Sequence, residues 1–306
     1  MSESYDVVVI GGGPAGLSAA LNLARARRRV LVLDSNRPRH AATLLSHGFL
    51  TRDGIPPLDL RRLAREEVAA YANAEIQFAL VQDVEAVDDG FRVIAQGVRG
   101  EPDRDVRTQT VVVATGLTET LPKLTNMRAF YGTDLHSCVE CDGFEKADLP
   151  LALIGESADL AEWALLIAQW SEDLVVFTNG VGSVSAAEEA ALRSAGIVVE
   201  RRPITELAGG RDGFTGVVLD GGETIARAAG FVRPAWSAPL EYLDTLPLDR
   251  DADGYVVIDG WGRTTVPGVY AAGDITPPGP QQLIVAAGNG ARVARALNRD
   301  LAGVPG

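Results

Sequence analysis

Short β-branched runs bounded by glycine alternate along this chain with longer stretches in which apolar residues recur at helical spacing. Residues 7–10 form the first run, and its continuous apolar character predicts a strand buried on both faces. Leu17, Leu21 and Ala24 then mark one face of a helix that ends in Arg27, Arg28 and Arg29, and residues 30–33 predict a second buried strand. Leu60, Leu63 and Ala70 are packing positions of a helix over residues 58–71. Short strands at 76–81, 84–87, 91–95 and 106–108, with a turn at Asp88-Asp89-Gly90, predict an antiparallel excursion before a buried strand at 111–113. Strand, helix and strand recur at 151–154, through Leu160, Ala164, Ile167 and Trp170, and at 174–177. Further strands are predicted at 198–200, 215–219 and 255–258, and an alanine-rich terminal helix at 282–301. The repeated β-α-β order predicts an α/β chain with two nucleotide-fold cores.

Composition narrows the class. A chain of 306 residues is long enough for two domains. With 46% hydrophobic and 23% charged residues it reads as compact rather than disordered. A formal charge of −13 argues against a nucleic-acid partner and leaves small molecules or proteins. Lys123 and Lys146 are its only lysines, so a lysine nucleophile has few candidates. The residues before the first strand carry no basic segment of a secretion signal, and no apolar run reaches the ~18–20 residues that cross a bilayer. The expected compartment is the cytoplasm, with no membrane partner.

Gly11, Gly13 and Gly16, with Pro14 and Ala15 among them, follow the first strand in the spacing G-x-G-x-x-G, which suits a tight turn whose backbone approaches a pyrophosphate at a helix N-terminus. Asp34 stands 18 residues after Gly16, at the end of the second strand, where a carboxylate meets ribose hydroxyls. An adenine dinucleotide satisfies both features together, which favours FAD over FMN. Gly116, after the strand at 111–113, is placed to let backbone pass close to a cofactor. Gly273 and Asp274 follow another strand, and the terminal helix, opening at Gln282, presents unsatisfied amides to an anion or a reduced flavin.

Cys138 and Cys141 are the only cysteines and form a single Cys-x-x-Cys. Two cysteines make no stapling framework in a chain of this length, and a cytoplasmic setting points to redox chemistry. Zinc is the competing reading, but two thiolates supply half of a tetrahedral site, and the histidines number three, His40, His47 and His136. No metal site is expected. Asp142 and His136 are the titratable neighbours available for proton transfer to a thiolate.

Taken together, the segments 11–16, 114–116, 136–143 and 265–274 resemble the low-molecular-weight thioredoxin reductases and related FAD-linked disulfide oxidoreductases. The resemblance implies two Rossmann-like three-layer nucleotide-binding domains. The FAD domain is discontinuous, from residues 1–117 and 244–306, around a dithiol-bearing NAD(P)-binding-like domain at 118–243. It also implies a homodimer and a rotation of the smaller domain. Cys138 would attack a substrate disulfide, Cys141 would lie nearest the flavin, Asp142 would move protons, and Asp274 would bind the ribityl or phosphate region. The implied partner is a thioredoxin-like protein or a small disulfide or dithiol.

The chain departs from the family in its second glycine fingerprint. Ser157 stands at the middle glycine, where it crowds a pyrophosphate, and Leu160 at a position usually filled by alanine. Gln281 replaces a common arginine before Gln282, and residues 40–54 lack the usual family wording. Residues 178–186 carry no positive side chain where relatives hold arginines for the NADPH 2′-phosphate. Poor NADPH use is therefore expected, with NADH, ferredoxin or another flavoprotein as donor, unless Arg193, Arg201 and Arg202 fold back. A dithiol oxidase using oxygen and a non-turnover flavin redox sensor are the alternative functions.

Overall fold

The computed structural model describes residues 4–277 and 279–304, and the chain divides into two compact units. One takes in the described residues of Met1–Ala41, Gly48–Thr118 and Ser237–Gly306; the other is Ala42–His47 with Glu119–Trp236.

In the first unit, parallel strands lie in the order Val269–Ala271, Arg104–Val113, Ser4–Ile10, Val30–Asp34 and Ala74–Val87. The far half of Ala74–Val87 runs into an antiparallel meander with Gly90–Gly97 and the start of Arg104–Val113. Alternate residues Val7, Val9, Val30, Val32 and Val112 share one buried core with the helices Pro14–Arg25 and Leu283–Leu301. Glycine sets how closely these helices lie. A Cβ on Gly16 would stand 1.9 Å from the Gly11 carbonyl oxygen, and one on Gly290 would stand 2.0 Å from that of Ala15.

The second unit is a parallel sheet ordered Val198–Glu200, Leu174–Phe177, Leu151–Gly155, Ala229–Arg233 and Leu135–His136. Leu151, Leu153, Val176 and Phe231 share a core with helices Leu160–Ile167 and Ala186–Ser194. Ala152, Ile154, Phe177 and Val232 pack on the opposite face against the antiparallel strands Ile204–Gly210 and Gly213–Leu219. The α/β architecture is the expected one, with antiparallel strands forming one layer of this unit.

Several boundaries differ from the sequence expectation. The runs 76–81 and 84–87 are one strand with an irregularity between Val81 and Asp83, and 106–108 and 111–113 are likewise one strand. Residues 255–258 make a single bridge, Val256 to Arg250, instead of a strand. Their backbone groups are satisfied irregularly: the Asp251 carboxylate accepts from the amides of Asp253 and Tyr255, and the Val256 amide donates to the Ile275 carbonyl. The helix expected to reach Trp170 ends at Ile167, and Trp170 packs beside Gly143. Helix Ala186–Ser194 was not among the expected elements, although Ser185 and Glu188 form a capping box legible as S-x-x-E.

Replacing Gly290 with alanine is expected to lower stability by about 1–3 kcal/mol. Gly288→Ala, two residues earlier and open to space, should be neutral or stabilising by up to about 1 kcal/mol. Urea unfolding of both variants checks the contrast; equal midpoints would contradict the close helix contact.

Candidate functional site

A cleft of about 500 Å³ in the first unit gathers Gly11, Gly13, Pro14, Ala15, Asp34, Gly116, Gly273, Asp274 and Gln282 along its walls. Gly16 is not on the wall. It lies beneath, where only a residue without Cβ lets the helix meet Gly11. Gly11 holds φ +111° and Gly116 φ +66°, conformations that favour glycine. Helix Pro14–Arg25 begins at Gly13 without a side-chain cap, and an added Cβ on Gly13 would meet nothing within 4 Å. Helix Leu283–Leu301 also starts uncapped, at Gln282, with no acidic residue in its first turn. Two helix N-termini with open amides therefore border one cleft, an arrangement suited to anionic groups.

At one end, Asp34 is buried and doubly held. Its Oδ1 accepts from the Asn36 amide at 2.8 Å, and its Oδ2 accepts from Arg61 Nη2 at 2.9 Å. Asn36 sits at φ +58°, a left-handed conformation asparagine tolerates, and this turns its amide onto Asp34. A Cβ on Gly12 would stand 2.4 Å from Asp34 Oδ2, so the glycine keeps the carboxylate in place. At another point Arg39 ion-pairs with Asp274 at 2.6 Å. His40 also lines the cleft; burial, with Arg61 and Arg39 adding to it, lowers its pKa to about 4 and keeps the imidazole neutral at pH 7. The Tyr242 hydroxyl lies 3.5 Å from Thr115 Oγ1, and burial raises its pKa well above the usual value. Arg61, Arg39, His40 and Tyr242 were not predicted as site residues. Arg65, one turn along the helix from Arg61, reaches the same Asp34 carboxylate at 3.5 Å.

The glycine cradle, the two uncapped helices and the buried carboxylate at ribose distance along the chain fit FAD. The residues that would hold it are Gly13 to Ala15 at a diphosphate and Asp34 at the adenosine ribose.

In the second unit Cys138 and Cys141 are joined as a disulfide with Cα atoms 5.3 Å apart. Cys138 precedes and Cys141 lies within a single helical turn, Val139–Asp142, anchored by the fully buried Val139. The Cys138 sulfur lies 3.8 Å from a Glu140 carboxylate oxygen. Asp142 Oδ1 is 3.0 Å from His136 Nδ1, and His136 Nε2 is 2.7 Å from the Thr133 carbonyl. A carbonyl only accepts, so Nε2 is the donor to Thr133 and Nδ1 faces the Asp142 carboxylate. Asp142 and His136 are thus a close acid–base pair, one residue after Cys141 and two before Cys138. Lys146 Nζ donates to the same Thr133 carbonyl at 3.2 Å. Burial lowers its pKa, and Asp142, Asp134 and Glu145 oppose that shift. His47 lies 3.6 Å from Glu145.

Residues 5–290 match the family model described as pyridine nucleotide-disulphide oxidoreductase. The chain is 33% identical over 177 residues to a probable thioredoxin reductase of Arthroderma benhamiae, a match spanning 58% of this chain and 44% of that relative. Two solved structures are similar over nearly the whole length. A putative thioredoxin reductase, TrxB, from Bacillus anthracis has a TM-score of 0.90 at 35% identity, covering 97% of this chain and 99% of its own. HlmI has a TM-score of 0.90 at 39% identity, covering 98% and 93%.

Asp34→Asn keeps the shape of the side chain but removes the charge that Arg61 and a ribose share. It is expected to weaken FAD retention about tenfold, read from flavin fluorescence after dialysis. Undiminished retention would remove Asp34 from the cofactor site.

Proposed function

Because the chain belongs to the pyridine nucleotide-disulphide oxidoreductase family and is a thioredoxin reductase-like, FAD-dependent disulfide oxidoreductase, we propose that FAD lies in the cleft of the first unit and that Cys138 and Cys141 are the exchanging thiols. The observation that carries this reading is the disulfide with the acid–base pair Asp142 and His136 on either side of it in the chain. In the reduced state the Cys138 thiolate attacks one sulfur of a substrate disulfide. A mixed disulfide forms, the substrate S–S bond breaks, and the departing thiolate takes a proton from the Asp142–His136 pair. Cys141 then attacks the Cys138 sulfur, releasing the second substrate thiol and re-forming the internal disulfide. The nearness of Cys141 makes this second step intramolecular. The neighbouring Asp142–His136 pair is the acid–base partner of these thiols in this reading. When bound, FAD supplies the two-electron chemistry that the thiols need to return from disulfide to dithiol.

The partner is a thioredoxin-like protein or a small disulfide, the kind of substrate that the names of the relatives indicate. The donor is read as NADH, ferredoxin or another flavoprotein in preference to NADPH. The arginines nearest to residues 178–186 are engaged: Arg193 pairs with Glu189, and Arg202 with Glu200 and Glu223. Arg201 does reach back, donating to the Val184 carbonyl, but it also pairs with Glu189. A 2′-phosphate would have to displace these carboxylates. No helix among the described residues is long and apolar enough to cross a membrane.

Cys138→Ser is expected to abolish reduction of a protein or small disulfide while FAD stays bound, and Asp142→Asn to slow it by about 10²-fold. Steady-state turnover with a chemically reduced flavin checks both. Equal turnover in wild type and Cys138→Ser would sink the dithiol mechanism.

A further inference from the structure

The second unit repeats the strand–turn–helix of the first, but fills the turn differently. After strand Leu151–Gly155 the chain passes through Glu156, Ser157, Ala158 and Asp159 into helix Leu160–Ile167, which Asp159 caps by position without a side-chain capping bond. The Asp159 carboxylate instead accepts from Ser157 Oγ at 2.5 Å and pairs with Arg233. Arg233 ends the neighbouring parallel strand, in register with Gly155, and its guanidinium lies over the Trp163 ring, 3.9 Å from the centroid. There is little spare room: a Cβ on Gly155 would stand 2.7 Å from Leu160 Cδ2 and 2.9 Å from Arg233 Cβ. Glu156 is tied to Asn179 at 2.7 Å, and Asn179 accepts from the Ile204 amide at 2.8 Å, so the turn is stitched to the loop after the next strand. Burial pulls the Asp159 carboxyl up, yet the bonds from Arg233 and Ser157 outweigh it and hold its pKa below the ordinary range.

In an open parallel sheet, the crevice outside the carboxyl ends of adjacent strands, beside a helix N-terminus, is where a dinucleotide places its diphosphate. We propose that Asp159 is an internal anion that occupies this place, held between the N-terminus of helix Leu160–Ile167 and the Arg233 guanidinium. It closes the crevice to any pyridine dinucleotide, phosphorylated or not. Ser157 fixes the carboxylate, Trp163 fixes the guanidinium, and Arg233 is a latent anion-binding group released only if Asp159 is removed. This rests on the donor part of the function proposed above and narrows it to ferredoxin or another flavoprotein, because it moves the obstacle from the 2′-phosphate to the diphosphate that NADH and NADPH share and so excludes NADH as well.

The test is isothermal titration of the FAD-loaded, oxidised protein with ADP-ribose, which has the diphosphate but neither a 2′-phosphate nor a redox-active ring. The wild type should show no saturable binding up to about 1 mM. Asp159→Ala should bind at least tenfold more tightly, with Kd below about 0.1 mM, and adding Arg233→Met should abolish the gain. Flavin absorbance and melting temperature report whether each variant is folded. If Asp159→Ala is not, Asp159→Asn, which keeps shape while releasing the charge on Arg233, takes its place. Micromolar binding of ADP-ribose by wild type, no gain on removing the carboxylate, or a gain that survives loss of Arg233 would each overturn the proposal. Because ADP-ribose lacks the 2′-phosphate, such a result leaves the preference against NADPH, and the Cys138 exchange, to stand or fall on their own measurements.

Discussion

The close crossing of the terminal helix over the fingerprint helix is the contact on which the cofactor cleft depends. Gly290 comes against the Ala15 carbonyl, and an added Cβ on Gly273 would stand 2.8 Å from Ala15 Cβ, so segments nearly the full chain apart meet without intervening side chains. Fully buried Val293 and Leu297 share the core with Ala19, Ala20 and Leu23 and hold the crossing in place. The consequence is electrostatic. Pro14–Arg25 and Leu283–Leu301 start at the same cleft, both without side-chain caps, and their partial positive charges add. An anionic cofactor completes what the packing leaves unsatisfied, and Asp34, neutralised by Arg61, accepts at the cleft without adding net repulsion.

The same strand–turn–helix plan appears in both units with opposite outcomes. Where Gly13 leaves the turn bare, amides stay available to a ligand. Where Ser157 and Asp159 stand in the turn, a carboxylate of the chain itself lies beside the helix and is neutralised by Arg233. One unit is thereby suited to a tightly held cofactor. The other carries its cysteine pair on a short turn pinned by Val139, with Asp142 and His136 in contact beside it in the chain.

What could be read from the sequence followed the range of the interactions involved. The glycine fingerprint, Asp34 and the Cys-x-x-Cys are local devices whose meaning lies in spacing, and His136 and Asp142 were legible because they stand within three residues of a cysteine. Arg61 and Arg39 were not, since their partners Asp34 and Asp274 stand 27 and 235 residues away and the pairing exists only after folding. Tyr242 likewise reaches Thr115 only through tertiary packing. Residues 255–258 misled because a β-branched run satisfies strand propensity, whereas carboxylate-capped turns at Asp251 and Asp259 take up the neighbouring backbone amides. The orientation of the His136 ring toward Asp142 rests on the Thr133 carbonyl, which carries no pattern in the sequence at all.

The central claim is that the flavin and the Cys138–Cys141 pair are two redox centres of one enzyme. An anaerobic reductive titration of the FAD-loaded protein, with absorbance followed at each addition and free thiols trapped by alkylation and located by mass spectrometry, tests it most directly. The account predicts uptake of one electron pair more than the flavin alone accepts, with the extra pair appearing as thiols at both Cys138 and Cys141. Complete bleaching of the flavin with the disulfide intact and neither cysteine alkylated would contradict it.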